Sequence, residues 1–259
     1  MQVRIVTGTD GAAAATGDVV VIDVIRAFTT AAYAFAAGID EIELVATVEE
    51  AWSRPGFRMG EVGGRLVAGF DHGNSPSQLV GRRLSGCAVQ RTSSGTQGAV
   101  LASSARTLWL GSLVVASATA RALSSSSEVT LVAMGGRGEP AEEEDMAAAI
   151  YISALLRGEP PPRERVLAMV RGSHAAALHA ADSPDRPRAD IDCCCAIDAF
   201  DFAMKVERLN GRLLARYCRR LEEPTRAPPE PSRNQPESGS GSDRPGRRLR
   251  IASCDRGSP

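Results

Sequence analysis

Between Asp18 and Asp23 the chain reads DVVVID, four branched aliphatic residues bracketed by two carboxylates. An apolar run without alternation predicts a strand buried on both faces. Arg26–Ala37 then reads as a helix, with Gly38 placed to end it. Ile42–Ala46 predicts a second strand, and Thr47-x-x-Glu50 a capping box opening a short helix. Leu66–Phe70 is read as a further strand. The scheme repeats: a strand at Cys87–Arg91, the turn TSSGT and a helix near Gly98–Ser104; a strand at Thr107–Leu110, then Gly111-Ser112 and a helix to Leu123. Val129–Met134 predicts another strand, followed by Gly135-Gly136-Arg137-Gly138 and a helix from about Ala141 to Leu156. Pro162–Ala181 reads as one more helix. Asn210-Gly211 lies between runs of strand length and predicts a tight hairpin. A helix through Arg212–Leu221, broken at Gly211, is the competing reading.

This βα alternation predicts an α/β fold, layered, with a mainly parallel sheet flanked by helices and a C-terminal β-hairpin. No repeat at solenoid spacing is visible. The apolar pattern runs over residues 1–221, which are read as one α/β domain. Over residues 222–259 Pro, Ser, Gly and Arg dominate, and that composition predicts a disordered tail.

Composition narrows the function classes. The chain has 259 residues, 43% hydrophobic and 4% aromatic, so Ala, Val, Leu and Gly must build a core of thin, closely packed layers. A net charge of −1 argues against a general nucleic-acid or membrane-surface binder. The opening MQVRIVTGTDG is too short and polar for a signal peptide, and no apolar run is long enough to span a bilayer. The six cysteines form no secreted framework, since Cys193, Cys194 and Cys195 are adjacent and Cys254 lies in the polar tail. The expectation is a reduced, cytoplasmic setting. The polar surface identifies no oligomer interface.

In an open parallel sheet, ligands bind beyond the carboxyl ends of the strands. That rule collects Asp23 and Arg26, the Arg91–Thr96 turn, Gly111-Ser112, the Gly135–Gly138 loop with Glu144 and Asp145, and GFDHGNSP at 69–76. Gly-rich turns entering helices offer backbone N–H groups to anions. Arg26 and Arg91 can grip phosphate, sulfonate or carboxylate. Asp23, Glu61, Asp71, Glu144 and Asp145 are hard oxygen donors suited to Mg²⁺. Together they suit a metal-assisted reaction on a small anionic ester. Each also has a plainer role: acidic residues at 142–145 favour any helix N-terminus, and Arg26 can pair with Asp23 structurally.

Other templates fail. GGRG is neither GxGxxG nor a P-loop. No G-x-S-x-G elbow occurs. Ile25 stands where a D-x-D phosphatase needs its second Asp, and Asp190-Ile191-Asp192 comes too late in the chain. Ser93 stands where a C-x₅-R loop needs its arginine. His72, His174 and His179 are too scattered for a metal triad, and the last two read as helix surface. The adjacent cysteines, read on a strand, point to opposite faces and serve as small buried residues.

The motifs VVVIDVIRAFTT (19–30), GEVGG (60–64), GFDHGNSP (69–76), QRTSSGT (90–96), GSLVVASATARAL (111–123), GGRGEPAEEEDMAAA (135–149) and DCCCAIDAFDFAM (192–204) together resemble the 2-phosphosulfolactate phosphatase family. The resemblance spans about Val3 to Ala215. It implies an α/β fold and Mg²⁺-dependent hydrolysis of (R)-2-phospho-3-sulfolactate to 3-sulfolactate and phosphate, a step in coenzyme M synthesis. Carried over by position, it implies Asp23, Arg26 and Asp71 as catalytic residues. Arg91, Asn74, Ser75, Thr96, Ser112 and Gly136 become substrate-binding, and Asp23, Glu61, Glu144 and Asp145 metal-binding. Val62 replaces an expected arginine, Ser94 and Val115 expected asparagines. Those departures make a non-catalytic anion-binding descendant the alternative, and phosphoryl transfer to another acceptor a third reading.

Overall fold

The DVVVID run forms the strand β2 (Gly17–Ile22), preceded by β1 (Gln2–Thr7) and α1 (Gly8–Ala14). The computed structural model describes residues 1–135 and 143–219, and every structural statement concerns these. In β2, Val19 and Val21 pack into one core cluster, while Val20 and Ile22 pack into another. All four are fully buried. Alternate side chains of a strand point to opposite faces, so both faces of β2 are covered, as the unbroken run predicts.

The order continues α2 (Ala27–Ala36), β3 (Glu41–Leu44), α3 (Val48–Ser53), β4 (Phe57–Val62), β5 (Arg65–Leu66), β6 (Cys87–Arg91) and α4 (Gly95–Leu101). Then come β7 (Ala105–Gly111), α5 (Ala116–Ala122), β8 (Glu128–Ala133), α6 (Glu143–Arg157), α7 (Arg163–Gly172), α8 (His174–Ala177), α9 (Ala189–Cys194), β9 (Ala203–Leu209) and β10 (Arg212–Cys218). The capping box at Thr47 and Glu50 forms with both reciprocal bonds. Asn210 and Gly211 take φ of 52° and 76°, the left-handed pair a two-residue hairpin turn requires, and join β9 to β10. The hairpin reading therefore holds over its helical competitor for residues 212–218.

One sheet has the strand order β1-β8-β2-β7-β9-β10-β3-β6-β4-β5. It contains two parallel blocks, β1-β8-β2-β7 and β3-β6-β4, bridged by the antiparallel hairpin. β7 is antiparallel to β9, and β10 to both β9 and β3, so the blocks run in opposite directions within the sheet. Nevertheless their carboxyl ends meet: Gln90 at the end of β6 donates from Nε2 to Ala27 O, just past β2, at 2.8 Å. Adjacent strands in a sheet rotate by roughly 20–25° on average, so a sheet of this width is strongly twisted. The α2 residues Phe28, Ala31 and Phe35 lie between the blocks, packed with Val21 from one and Ile42 and Met59 from the other. The opposite face of β2 and β8 is covered by α6, through Ala148, Tyr151 and Ile152.

Four expectations need correction. Of the expected Leu66–Phe70 strand only Leu66 is in a strand, as the last residue of β5; Phe70 N closes a turn on Val67 O at 3.0 Å. The expected Pro162–Ala181 helix breaks at Ser173, whose ψ of 155° and side-chain cap on Ala176 N start α8 in a new direction. The redirected segment carries His179 into the interior, where it is 3% exposed rather than on a helix surface. The three cysteines lie in α9 and its C-cap rather than on a strand; Cys194 is fully buried and its Sγ donates to Val24 O at 3.1 Å. Burial raises the pKa of all three thiols.

Candidate active site

At the end of β2, Asp23 Oδ1 accepts from Ala27 N at 2.9 Å, which fixes the carboxylate against the start of α2. Asp145, in the first turn of α6, bridges two strand ends. Its Oδ1 accepts from Val24 N at 2.7 Å and its Oδ2 from Gly135 N at 3.0 Å. Glu144 beside it is 2% exposed. Asp145 thus does more than answer the helix macrodipole, because it pins the chain after β2 and after β8.

The second block adds a bracket between β4 and β6. Glu61 Oε1 accepts from Ser93 N at 2.5 Å, and its Oε2 from Ser93 Oγ at 3.0 Å and Gly64 N at 2.6 Å. Arg91 donates from Nη1 to Glu61 O at 2.8 Å and from Nε to Ala46 O at 3.3 Å. Its guanidinium braces loop carbonyls. Thr96 Oγ1 accepts from Thr92 N at 2.8 Å, and Ser112 Oγ caps Val114 N at 3.3 Å.

The third contribution comes from the segment between α8 and α9. Asp190 is fully buried and receives four donors: Arg26 Nη1 at 2.6 Å on one oxygen, and Ser75 Oγ (2.7 Å), Ser77 Oγ (2.6 Å) and Ser77 N (3.1 Å) on the other. Arg26 also donates to Asp185 O at 2.7 Å. The partner of Arg26 is therefore Asp190, 164 residues along the chain, instead of Asp23. His179 donates from Nδ1 to Ala175 O at 3.0 Å, and its Nε2, 3.8 Å from Asp190, has no hydrogen-bond partner among the described residues. Burial, then the nearby Arg26 and Arg186, lowers its pKa below the ordinary 6.5, against the opposing pull of Ala175 O and Asp190. The imidazole is neutral at pH 7.

These pieces enclose a cavity of about 370 Å³. Asp23, Arg26, Glu61, Asn74, Glu144 and Asp145 line it, six of the residues singled out from the sequence. Asn74 Oδ1 is buried and without a hydrogen-bond partner among the described residues. Arg91, Thr96 and Ser112 lie behind this wall as loop braces, and Ser75 acts through Asp190. Asp71 is exposed, and its Oδ2 accepts from Arg58 N at 2.8 Å, away from the cavity. Gly136 lies outside the described residues. His179 and Arg186 also line the cavity. Sequence reasoning missed both, and missed Asp190. Its only signal was the Asp190-Ile191-Asp192 pattern, which carried no hint of Arg26.

The donor set fits Mg²⁺. Among the described residues no three His, Cys, Asp or Glu side chains converge as an all-protein cage. Mg²⁺ does not need one, because it keeps several waters and takes one or two carboxylates together with substrate oxygens. Asp23 and Glu144, both nearly buried on the cavity wall, supply that number. No helix among the described residues is long and apolar enough to cross a membrane.

The chain is similar to proteins of known naming. The family model for 2-phosphosulpholactate phosphatase matches residues 6–208. A probable 2-phosphosulfolactate phosphatase of Bacillus subtilis is 32% identical over 201 residues, covering 73% of this chain and 86% of that protein. Proteins of the same name from Carboxydothermus hydrogenoformans (39% identity) and Deinococcus radiodurans (38%) match over 53% and 52% of this chain and 60% of their own lengths. The chain thus spans less than two thirds of these last two. None of these names supports the binding-only alternative.

Proposed function

Since this chain belongs to the 2-phosphosulpholactate phosphatase family, we propose that it is a Mg²⁺-dependent phosphatase that hydrolyses a small phosphorylated 2-hydroxy acid, such as 2-phospho-3-sulfolactate. One observation carries the reading: the carboxylates Asp23, Glu144 and Asp145 and the guanidinium of Arg26 line a single cavity at the carboxyl ends of β2 and β8. Carboxylates and arginine together match an ester whose charge must be both bridged by a cation and neutralised directly.

Arg26 is held through Nη1 by Asp190 and Asp185 O, which leaves the rest of its fork to face phosphoryl oxygens. Asp23 and Glu144 would hold the metal, which supplies polarisation of the phosphoryl group and stabilisation of the leaving oxygen. Asp145, with both oxygens bonded to backbone N–H groups, keeps the two strand-end loops at a fixed separation. Coenzyme M synthesis and a cytoplasmic setting accompany this reading as parts of the same proposal.

The test is phosphate release from 2-phospho-3-sulfolactate by the purified chain, with Mg²⁺ and then with EDTA. Release that needs Mg²⁺, and is lost in a folded Asp23→Asn variant, is the expected result. Release that persists in EDTA removes the metal; full activity of Asp23→Asn removes that residue from the chemistry.

A further inference from the structure

A 2-phosphorylated hydroxy acid carries at least one more anionic group than the one that leaves. Arg26 accounts for the phosphoryl end; a second guanidinium, Arg186, lines the same cavity. Resting on the phosphatase reading, we propose that Arg186 is the specificity-determining residue that binds the acid group of the substrate that is not hydrolysed, a sulfonate or carboxylate on its carbon skeleton.

Arg186 is presented by a built turn. Its backbone N donates to Ser183 O at 3.0 Å and to Ser183 Oγ at 3.2 Å. The neighbouring Asp185 ties that turn down on two sides, its O accepting from Arg26 Nη1 at 2.7 Å and its Oδ1 from Leu66 N at 3.0 Å. The turn that steadies Arg26 thus also carries Arg186. The guanidinium lies over the Gly63-Gly64 turn. A Cβ on Gly64 would stand 2.9 Å from its Cζ and 3.0 Å from its Nε, and Gly64 has φ of +81°. The positive φ favours glycine there, and its bare Cα lets the guanidinium lie close against the turn.

The guanidinium is underused. Arginine carries five N–H donors, yet among the described residues its side chain donates from Nη2 to Gly63 O at 3.3 Å. Among the described residues it forms no ion pair, whereas Arg26 has Asp190. A half-buried cation on a cavity wall, without a counter-anion among the described residues, offers its donors to one that a ligand can supply. Arg26, His179 and Arg186 all line this one cavity. Ile25, Ala175 and Leu178 line the same cavity and add apolar surface suited to a short carbon chain.

The experiment measures calorimetric binding of 3-sulfolactate, malate, lactate and inorganic phosphate to the full chain, to Arg186→Met and to Arg186→Lys. Removing one charge-assisted fork should weaken 3-sulfolactate by at least about tenfold while phosphate changes little. Arg186→Lys, which keeps charge but loses the fork, should fall between. Loss confined to 3-sulfolactate and malate places the distal acid on Arg186; equal loss for lactate places the C1 carboxylate there. The proposal is overturned if phosphate weakens as much as 3-sulfolactate, if no affinity changes, or if folded wild-type chain binds no 3-sulfolactate. Arg186-dependent binding without phosphate release would retire the phosphatase reading and keep this one. Unaltered KM in Arg186→Met, with hydrolysis intact, would do the reverse.

Discussion

Asp190→Asn tests the centre of the assembly. Asp190 is 0% and Arg26 5% exposed, and they meet at 2.6 Å. The serine-facing oxygen accepts three bonds, from Ser75 Oγ, Ser77 Oγ and Ser77 N. An asparagine can keep its oxygen on the serines, but its amide then points N–H groups at Arg26 Nη1. The substitution removes a charge-assisted bond and leaves a buried guanidinium without its counter-ion. Breaking a buried pair from one side costs about 3–5 kcal/mol, a large share of a total stability of about 5–15 kcal/mol. Urea unfolding at neutral pH measures this as a fall in midpoint at constant m-value. The double variant Asp190→Asn/Arg26→Met removes both charges and should be less destabilised than the sum of the singles, by about 0.5–3 kcal/mol. A single-variant loss below about 1 kcal/mol, or additivity in the cycle, would refute the claim that this pair is the joint between the late segment and β2.

Three other outcomes are expected. His72 and His179 both have pKa values lowered from 6.5, first by burial. The unfolded chain therefore binds more protons below pH 6.5, stability falls as pH drops from there, and replacing both with glutamine should flatten the slope of unfolding free energy between pH 7 and 5. Burial pushes the Glu43 pKa up, but its bonds to Arg212 and Arg54 override this and hold it below 4.5; the stability it gives is present above pH 4.5 and lost on further acidification, so Glu43→Gln should show a shallower acid limb in thermal melts. Leu131, fully buried in β8 under α6, should cost about 2–5 kcal/mol when cut to alanine, with circular dichroism unchanged before the transition.

The fold was legible wherever one local pattern decided it. DVVVID needed burial on both faces and received it; Asn210-Gly211 needed left-handed φ at two positions and took them. β1 and β4 went unread. β1 is a half-exposed edge strand, and FRMGEV in β4 mixes charge and glycine with too little alternation to mark a strand. The break at Ser173 was hidden because LAMVRG before it and HAAALHA after it read together as one helix.

The site divides along a line that sequence does not draw. Strand-end polar residues must either hold a loop or face a ligand, and both tasks select the same residue types. Asp71, Arg91, Thr96 and Ser112 hold loops through backbone bonds, whereas Asp23, Arg26, Asn74 and Glu144 reach the cavity wall. Glu61 and Asp145 do both. His179, Arg186 and Asp190 follow no strand of the parallel blocks, so the strand-end rule passes over them. They enter on the segment from α8 to α9, which is tied to the strand-end loops through Asp190 on Arg26, Ser75 and Ser77. The arginine missing at Val62 belongs to the same picture: Val62 lines the cavity 47% exposed, and the guanidinium over the adjacent Gly63-Gly64 turn arrives from Arg186 instead. A charge absent from one motif is thus present in the cavity, supplied by a residue 124 positions away, and only the folded chain brings the two together.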